Sequence, residues 1–146
     1  MELSRLQRNV ASIVEKLDEM VLGSMIKNDN IIVDLNTSQL SDGLRSDNTS
    51  IEPEYFYPAY AKMKKSIGAK PPLGTPNLYL EGDFYRGFYA KKIQDWIEIH
   101  STDWKEKKLR EKYSDEIFGL TSKNMSVLGQ HIIPDLLQNI TKELYK

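Results

Sequence analysis

The chain has 146 residues, of which 40% are hydrophobic and 28% are charged, a size and composition typical of one domain with one core. Its 20 basic and 21 acidic side chains give a formal net charge of −1, which disfavours a dedicated nucleic-acid-binding domain because such domains are usually basic. Cysteine is absent, which excludes disulfides, thiolate metal sites and cysteine nucleophiles.

At the N-terminus, MELSRLQRN lacks the apolar stretch of a signal peptide, and no apolar run is long enough to span a bilayer. We therefore expect a protein that is made and used in the cytosol, or assembled there into something larger, with no membrane partner.

The first segment, from residue 2 to about residue 26, predicts an amphipathic helix. Its apolar residues recur at alternating steps of three and four, which places them on one helix face: Leu3, Leu6, Val10, Ile13, Leu17 and Met20. The same spacing is that of a coiled-coil seam, although three heptads are few. The face is expected to pack within its own subunit, with a seam between subunits as the alternative.

A turn and a buried strand are predicted after this helix. Asn28-Asp29-Asn30 consists of turn-forming residues. Residues 31–35 (IIVDL) are rich in β-branched side chains and predict a strand. Residues 41–50 (SDGLRSDNTS) are polar and rich in turn formers, so they predict an exposed loop.

A short helix is predicted over residues 59–67. Pro58 can occupy its first position, and Gly68 can end it. Residues 69–76 (AKPPLGTP) carry three of the six prolines, which is incompatible with a helix or a central strand. This segment predicts a surface loop.

Residues 77–101, NLYLEGDFYRGFYAKKIQDWIEIHS, concentrate aromatic side chains around two glycines. A turn at Glu81-Gly82-Asp83 is predicted, followed by two extended segments at residues 84–92 and 95–100 that form a hairpin. One helical turn over residues 84–88 is the alternative.

The C-terminal third predicts two further helices. Residues 103–112 are helix-prone and charged on all sides. Thr121 is a candidate N-cap of a last helix, in which Pro134 either introduces a kink or opens a second helix. Together, these elements predict a single α+β domain over residues 1–146, in which a small antiparallel sheet is flanked by an N-terminal and a C-terminal helix.

Few residues suggest catalysis. Glu81 and Asp83 flank Gly82, and His100 follows nearby, whereas a hydrolase needs positioned acids or a nucleophile with a base. Carboxylates at this spacing are common in turns, where an aspartate bonds its own backbone. The two histidines, His100 and His131, have no metal-binding spacing. We therefore predict that the protein is not an enzyme and has no catalytic, metal or cofactor-binding residue.

The basic stretch at residues 105–112 has five basic and two acidic side chains, and, with Lys62, Lys64 and Lys65, it could neutralise nucleic-acid phosphates. The favoured interpretation is a solvated helix face whose charges pair at i,i+4 spacing. The aromatic residues of 77–101 could stack on bases, but packing in a core or an interface is favoured.

From residue 40 onward, the order of short motifs is familiar: SDGLRSDNTSI, YAKMKKSIG, NLYLEGDFYRGFY, WIEIHSTD, KLREKYSDEIFGLT and IIPDLL. This order resembles the tail-completion, or head–tail joining, proteins in the neck of tailed bacteriophages, above all versions from phages and prophages of Bacteroidetes. The resemblance covers residues 38–144. Glu81-Gly82 stands where that family commonly has Thr-Gly, residues 117–121 stand at the entry to the last helix, and the Pro-Ala-Arg element of related families is absent.

The resemblance implies a structural virion protein that acts by assembly. Such proteins are α+β subunits of hexameric or dodecameric rings that join the capsid connector to the tail, with genomic DNA passing through the channel. The implied partners are copies of the chain itself, the portal or connector, and tail or other neck proteins; no cofactor is implied. A small nucleic-acid-binding phage protein is the alternative. The candidate contact residues for a neighbouring subunit or neck partner are Arg45, Asp47, Leu73, Tyr79, Phe84, Tyr85, Phe88, Tyr89, Trp96 and Trp104.

Overall fold

The computed structural model describes residues 2–146. Within them, the chain forms α-helices, one short 3-10 helix and a two-stranded antiparallel sheet. In chain order the elements are α1 (Leu3–Lys27), α2 (Asp29–Ser41), α3 (Pro58–Ser66), α4 (Asp83–Arg86), β1 (Phe88–Ile93), β2 (Trp96–Ser101), α5 (Glu106–Tyr113), the 3-10 helix (Asp115–Ile117) and α6 (Ser122–Leu144). The predicted α+β class, with a small antiparallel sheet flanked by N-terminal and C-terminal helices, is confirmed.

The predicted strand at residues 31–35 is wrong, because this segment lies inside α2. Of the predicted turn at residues 28–30, only Asn28 lies outside the helices. Its carbonyl accepts a hydrogen bond from the Ile32 amide at 3.2 Å. β-Branched residues lower helix propensity by only tenths of a kcal/mol. Burial of Ile32, Asn36 and Leu40 at i,i+4 spacing on one face of α2 outweighs that preference.

The two longest helices, α1 and α6, pack along each other in opposite directions. Asn9 Nδ2 donates to the Leu144 carbonyl at 2.8 Å, near the start of α1 and the end of α6. Towards the other end, Ser24 Oγ donates to Asp135 Oδ2 at 2.9 Å. α6 continues through Pro134 as a single helix, so of the two predicted outcomes a new helix at that residue is wrong.

The helix caps and the loop after α3 largely follow prediction. Thr121 caps α6, since its Oγ1 accepts from the Asn124 amide at 3.2 Å. α3 begins at Pro58, and Gly68 follows its end with a left-handed φ of +97°. Residues 69–76 form a loop as predicted. Of the helices in the described part of the chain, none is long and apolar enough to cross a membrane.

The hairpin is confirmed, but its first strand starts later than predicted. β1 pairs with β2 from Phe88↔Ser101 to Ile93↔Trp96, whereas residues 83–86 form the helical turn α4. Gly82 permits this turn with a φ of +89°. Ser101 Oγ then closes it by donating to the Phe84 carbonyl at 2.9 Å.

Two groups of buried side chains form the core. The first gathers residues from α2, the loops, the hairpin and the α5 region: Leu40, Ile51, Phe84, Phe88, Tyr113 and Ile117. The second lies between α2 and α6 and consists of Ile32, Leu128 and Ile132, with Ile97 and Ile99 of β2 packed against it. The sheet therefore has one face on the core.

Candidate assembly surface

Four apolar side chains of α1 are exposed on one face of the helix, and we refer to them as the α1 stripe. They are Leu3, Val10, Val14 and Leu17, with exposed fractions of 77%, 45%, 69% and 40%. Steps of seven, four and three residues keep them on one side of an α-helix. Leu3, Val10 and Leu17 belong to the predicted seam and Val14 lies beside it, whereas the other seam residues, Leu6, Ile13 and Met20, are partly buried. The apolar face of α1 is thus divided between packing within the chain and exposure to solvent.

The helix that packs against α1 also exposes apolar side chains. Ile133 and Leu137 are adjacent on α6 at i,i+4 spacing, and both are exposed. Single exposed leucines are ordinary on protein surfaces. Rows of them on two neighbouring helices are typical of surfaces that other proteins cover.

Two of the predicted contact residues are buried, and a third, Tyr85, is partly buried against them. Phe84 and Phe88 are buried and meet edge to face with ring centroids 4.9 Å apart. Phe88 also stacks on Phe118 at 5.1 Å. The Tyr85 hydroxyl donates to the Asn77 carbonyl, and burial raises the pKa of Tyr85 well above its ordinary value. These aromatic rings therefore build the core.

Five other predicted contact residues are exposed, but they are spread over four segments: Leu73, Tyr79, Tyr89, Trp96 and Trp104. Tyr89 of β1 and Trp96 of β2 belong to the hairpin, where Tyr89 stacks on His100 at 5.7 Å. Trp96 Nε1 donates to Glu98 Oε2 at 3.2 Å. Tyr89 and Trp96 lie on the same, outer face of the hairpin.

Arg45 and Asp47 stabilise their own loop. Arg45 Nε donates to the Thr49 hydroxyl at 3.0 Å, and Asp47 Oδ1 accepts from the Thr49 amide at 3.0 Å. Hydrogen bonds from the hydroxyl and amide of Thr49 lower the pKa of Asp47. The predicted loop at residues 41–50 is confirmed and is closed by a bridge between Leu44 and Ser50.

The candidate catalytic residues do not form one site. His100 lies between two glutamates, with Nδ1 3.0 Å from Glu106 Oε1 and Nε2 3.1 Å from Glu98 Oε1. Asp83 pairs with Arg86 instead. Between residues 2 and 146, no group of three or more histidine, aspartate and glutamate residues is arranged to hold a metal ion.

The His100 group gives a testable pH dependence. Burial opposes ionisation of Glu106, but hydrogen bonds from Arg110 and His100 outweigh it and lower its pKa below 4.5. Because the folded pKa is the lower one, this stabilisation is present above about pH 4.5 and is lost as the pH falls through the folded pKa. We expect Glu106→Gln to lower the free energy of unfolding by up to about 1 kcal/mol at pH 7, and the difference from wild type to vanish towards pH 3, measured by urea unfolding.

Glu111→Gln is the matched control for that experiment, since Glu111 is exposed on the same helix. It should leave the urea midpoint unchanged at both pH values. A destabilisation by Glu106→Gln that persists at pH 3 would show that the carboxylate charge is not responsible.

The basic stretch at residues 105–112 is divided among several contacts. Arg110 pairs with Glu106 at 2.9 Å and with Asp115 at 3.2 Å. Lys105 and Lys108 lie over the Trp104 ring, with ammonium-to-centroid distances of 5.9 and 5.5 Å. The i,i+4 pairing predicted for this stretch is therefore confirmed for Glu106 and Arg110.

The burial of Lys64 is not predicted from the sequence. The sequence groups Lys64 with Lys62 and Lys65 as possible phosphate contacts, but Lys64 is only 3% exposed. The sequence feature that indicates this burial is the position of Lys64 three residues after Ala61, which is also buried on α3. Such spacing places a long polar side chain on the inner face of a helix.

Comparisons of the chain with protein-family models, with curated protein sequences and with solved structures gave no match. The resemblance of residues 38–144 to phage neck proteins therefore stays a prediction.

Proposed function

We propose that this chain is a structural subunit that self-associates into a ring in the neck of a tailed-phage virion, where it joins the capsid connector to the tail and lines the DNA channel. The observation that carries the proposal is the α1 stripe, because four exposed apolar side chains in one row favour association. The motif order of residues 38–144 supports the placement in the neck. The function is assembly, without a chemical step.

A ring requires two different matching faces on each subunit. The α1 stripe supplies one, and the exposed row of Ile133 and Leu137 on α6 supplies the other. Fully burying a valine or leucine side chain contributes about 1.5–3 kcal/mol, and about half of that is still available at each partly exposed position. Association costs about 4–15 kcal/mol, so burial at these positions offsets the lower part of that range, and two contacts per subunit in a closed ring reinforce each other.

Val14→Glu tests this proposal. A carboxylate in an apolar contact costs several kcal/mol, so we expect association to weaken by about 100-fold or more. Sedimentation velocity over a range of concentrations measures the change, and electron microscopy of the wild-type assembly shows whether it is a closed ring. Gln138→Glu is the control, because it adds the same charge at an exposed α6 position. It should assemble as the wild type does.

Two outcomes would contradict the proposal. One is a wild-type protein that stays monomeric at all concentrations and binds no connector or tail partner. The other is a Val14→Glu variant that folds, as judged by circular dichroism, and assembles normally.

The alternative, a small nucleic-acid-binding protein, is favoured by Trp104. This side chain is 76% exposed, and the ammonium groups of Lys105 and Lys108 lie over its ring, so an aromatic surface for a base and two positive charges for a phosphate stand together. The net charge of −1 disfavours it. A salt-dependent mobility shift of the unassembled Val14→Glu variant with single-stranded DNA would favour this alternative over the ring.

A further inference from the structure

Lys64 is a buried lysine without a carboxylate partner. Its side chain is 3% exposed, and its ammonium donates to the backbone carbonyl of Tyr79. None of the ion pairs found among residues 2–146 includes it. Lysines are almost never fully buried unless they are paired. An ammonium has three donors, so two remain for other acceptors.

This lysine forms part of the wall of a cavity of about 380 Å³, a volume in the range of ligand pockets. Four tyrosines also line it, namely Tyr55, Tyr60, Tyr79 and Tyr113. Tyr55 and Tyr60 meet edge to face at 4.9 Å, and burial raises the pKa of Tyr55 to about 12. Aromatic walls with a few polar or charged groups are typical of sites for small organic ligands.

We propose that this cavity binds a small aromatic carboxylate, whose charged group contacts the Lys64 ammonium and whose ring packs against the tyrosines. The site is independent of the proposed ring, because none of the α1 stripe residues lines the cavity.

The charges around the cavity determine the sign of the ligand. Lys105 pairs with Asp103 at 3.6 Å, and Asp83 pairs with Arg86. Glu81 is exposed, so water screens its charge. Burial lowers the pKa of Lys64, since desolvation disfavours its charged form. An anion bound at the Lys64 ammonium offsets that desolvation. The buried, unpaired ammonium of Lys64 therefore favours a carboxylate ligand.

The matched pair Lys64→Met and Lys62→Met tests the proposal, because Lys62 is exposed on the same helix. The folded protein is titrated with benzoate, benzamidine and inorganic phosphate, and backbone amide shifts are followed by NMR. We expect saturable benzoate shifts in residues 78–84 for wild type and Lys62→Met. Affinity should fall at least about tenfold in Lys64→Met, because a hydrogen bond to a charged group is lost. Benzamidine, which is a cation, should bind neither to the wild type nor to Lys62→Met.

A second variant keeps the test valid if Lys64→Met does not fold. Leu80 lines the same cavity but is exposed, so Leu80→Trp narrows the cavity without removing a core contact and should also weaken benzoate binding. The proposal is overturned if benzoate produces no saturable shift, if it binds Lys64→Met or Leu80→Trp as well as wild type, or if phosphate binds as tightly as benzoate.

Discussion

Replacing Asn36 with leucine is expected to lower the free energy of unfolding by about 3 kcal/mol. Asn36 is 0% exposed, and its side-chain amide bonds two backbone groups of the segment that leads into α6. Nδ2 donates to the Ile117 carbonyl at 3.0 Å, and Oδ1 accepts from the Gly119 amide at 3.0 Å. Leucine has the same branched shape, with four side-chain heavy atoms, but leaves both backbone groups without a partner, and each costs about 1–3 kcal/mol when buried. Urea unfolding at pH 7 measures the change.

Asn30→Leu is the control, since Asn30 is exposed on the same helix. Its effect should stay within about 0.5 kcal/mol. A loss below about 1 kcal/mol in Asn36→Leu would mean that water replaces the side-chain amide, and that Asn36 does not fix the connection between α2 and α6.

The second large effect is expected for Leu40→Ala, at about 3 kcal/mol. Leu40 is 0% exposed and belongs to the first core group, with Ile51, Phe88 and Ile117. Removing most of its side chain loses apolar burial and leaves a cavity, because the neighbouring side chains relax only partly. Thermal and urea unfolding measure the loss.

Leu73→Ala is the matched control, because Leu73 is an exposed loop leucine. It should unfold at nearly the same urea concentration as wild type. A small effect of Leu40→Ala would mean that the core around α2 repacks, contrary to the close packing expected of protein interiors.

Periodicity and capping residues were sufficient to predict part of the fold. α1 is specified by its apolar repeat, α3 by Pro58 at its start and Gly68 after its end, and α6 by Thr121. These signals are local, so a single sequence contains them. They fix which elements exist but not how the elements pack.

The wrongly predicted strand at residues 31–35 and the wrongly predicted start of β1 have the same physical cause. In both places, contacts between elements decide the local conformation. Residues 31–35 prefer an extended conformation locally, and only the packing of α2 on α6 and the hairpin makes them helical. The helical turn at residues 83–86 depends on Gly87, where an added Cβ would lie 2.5 Å from Ser101 Oγ. Residues 87 and 101 are distant in sequence, so no local pattern contains this constraint.

The candidate sites were only partly predictable for the same reason. The seam of α1 was visible as a repeat, but whether Val14 or Ile13 remains exposed depends on where α6 lies. The aromatic residues of the 77–101 segment were visible as a cluster, whereas burial separates Phe84 and Phe88 from the exposed Tyr79. Lys64 acquires its surroundings from the Tyr79 backbone, which packs beside it.

The antiparallel packing of α1 and α6 also has a practical consequence for handling the protein. Asn9 bonds the Leu144 carbonyl at 2.8 Å, and Arg5 bonds the carbonyl of Lys146. Residues 2 and 146 therefore lie at the same end of the helix pair, next to Leu3. A purification tag or fluorescent protein fused to either end would leave the fold beside the α1 stripe and crowd it. Asn48, which is exposed in the loop between α2 and α3, is a better place for a label.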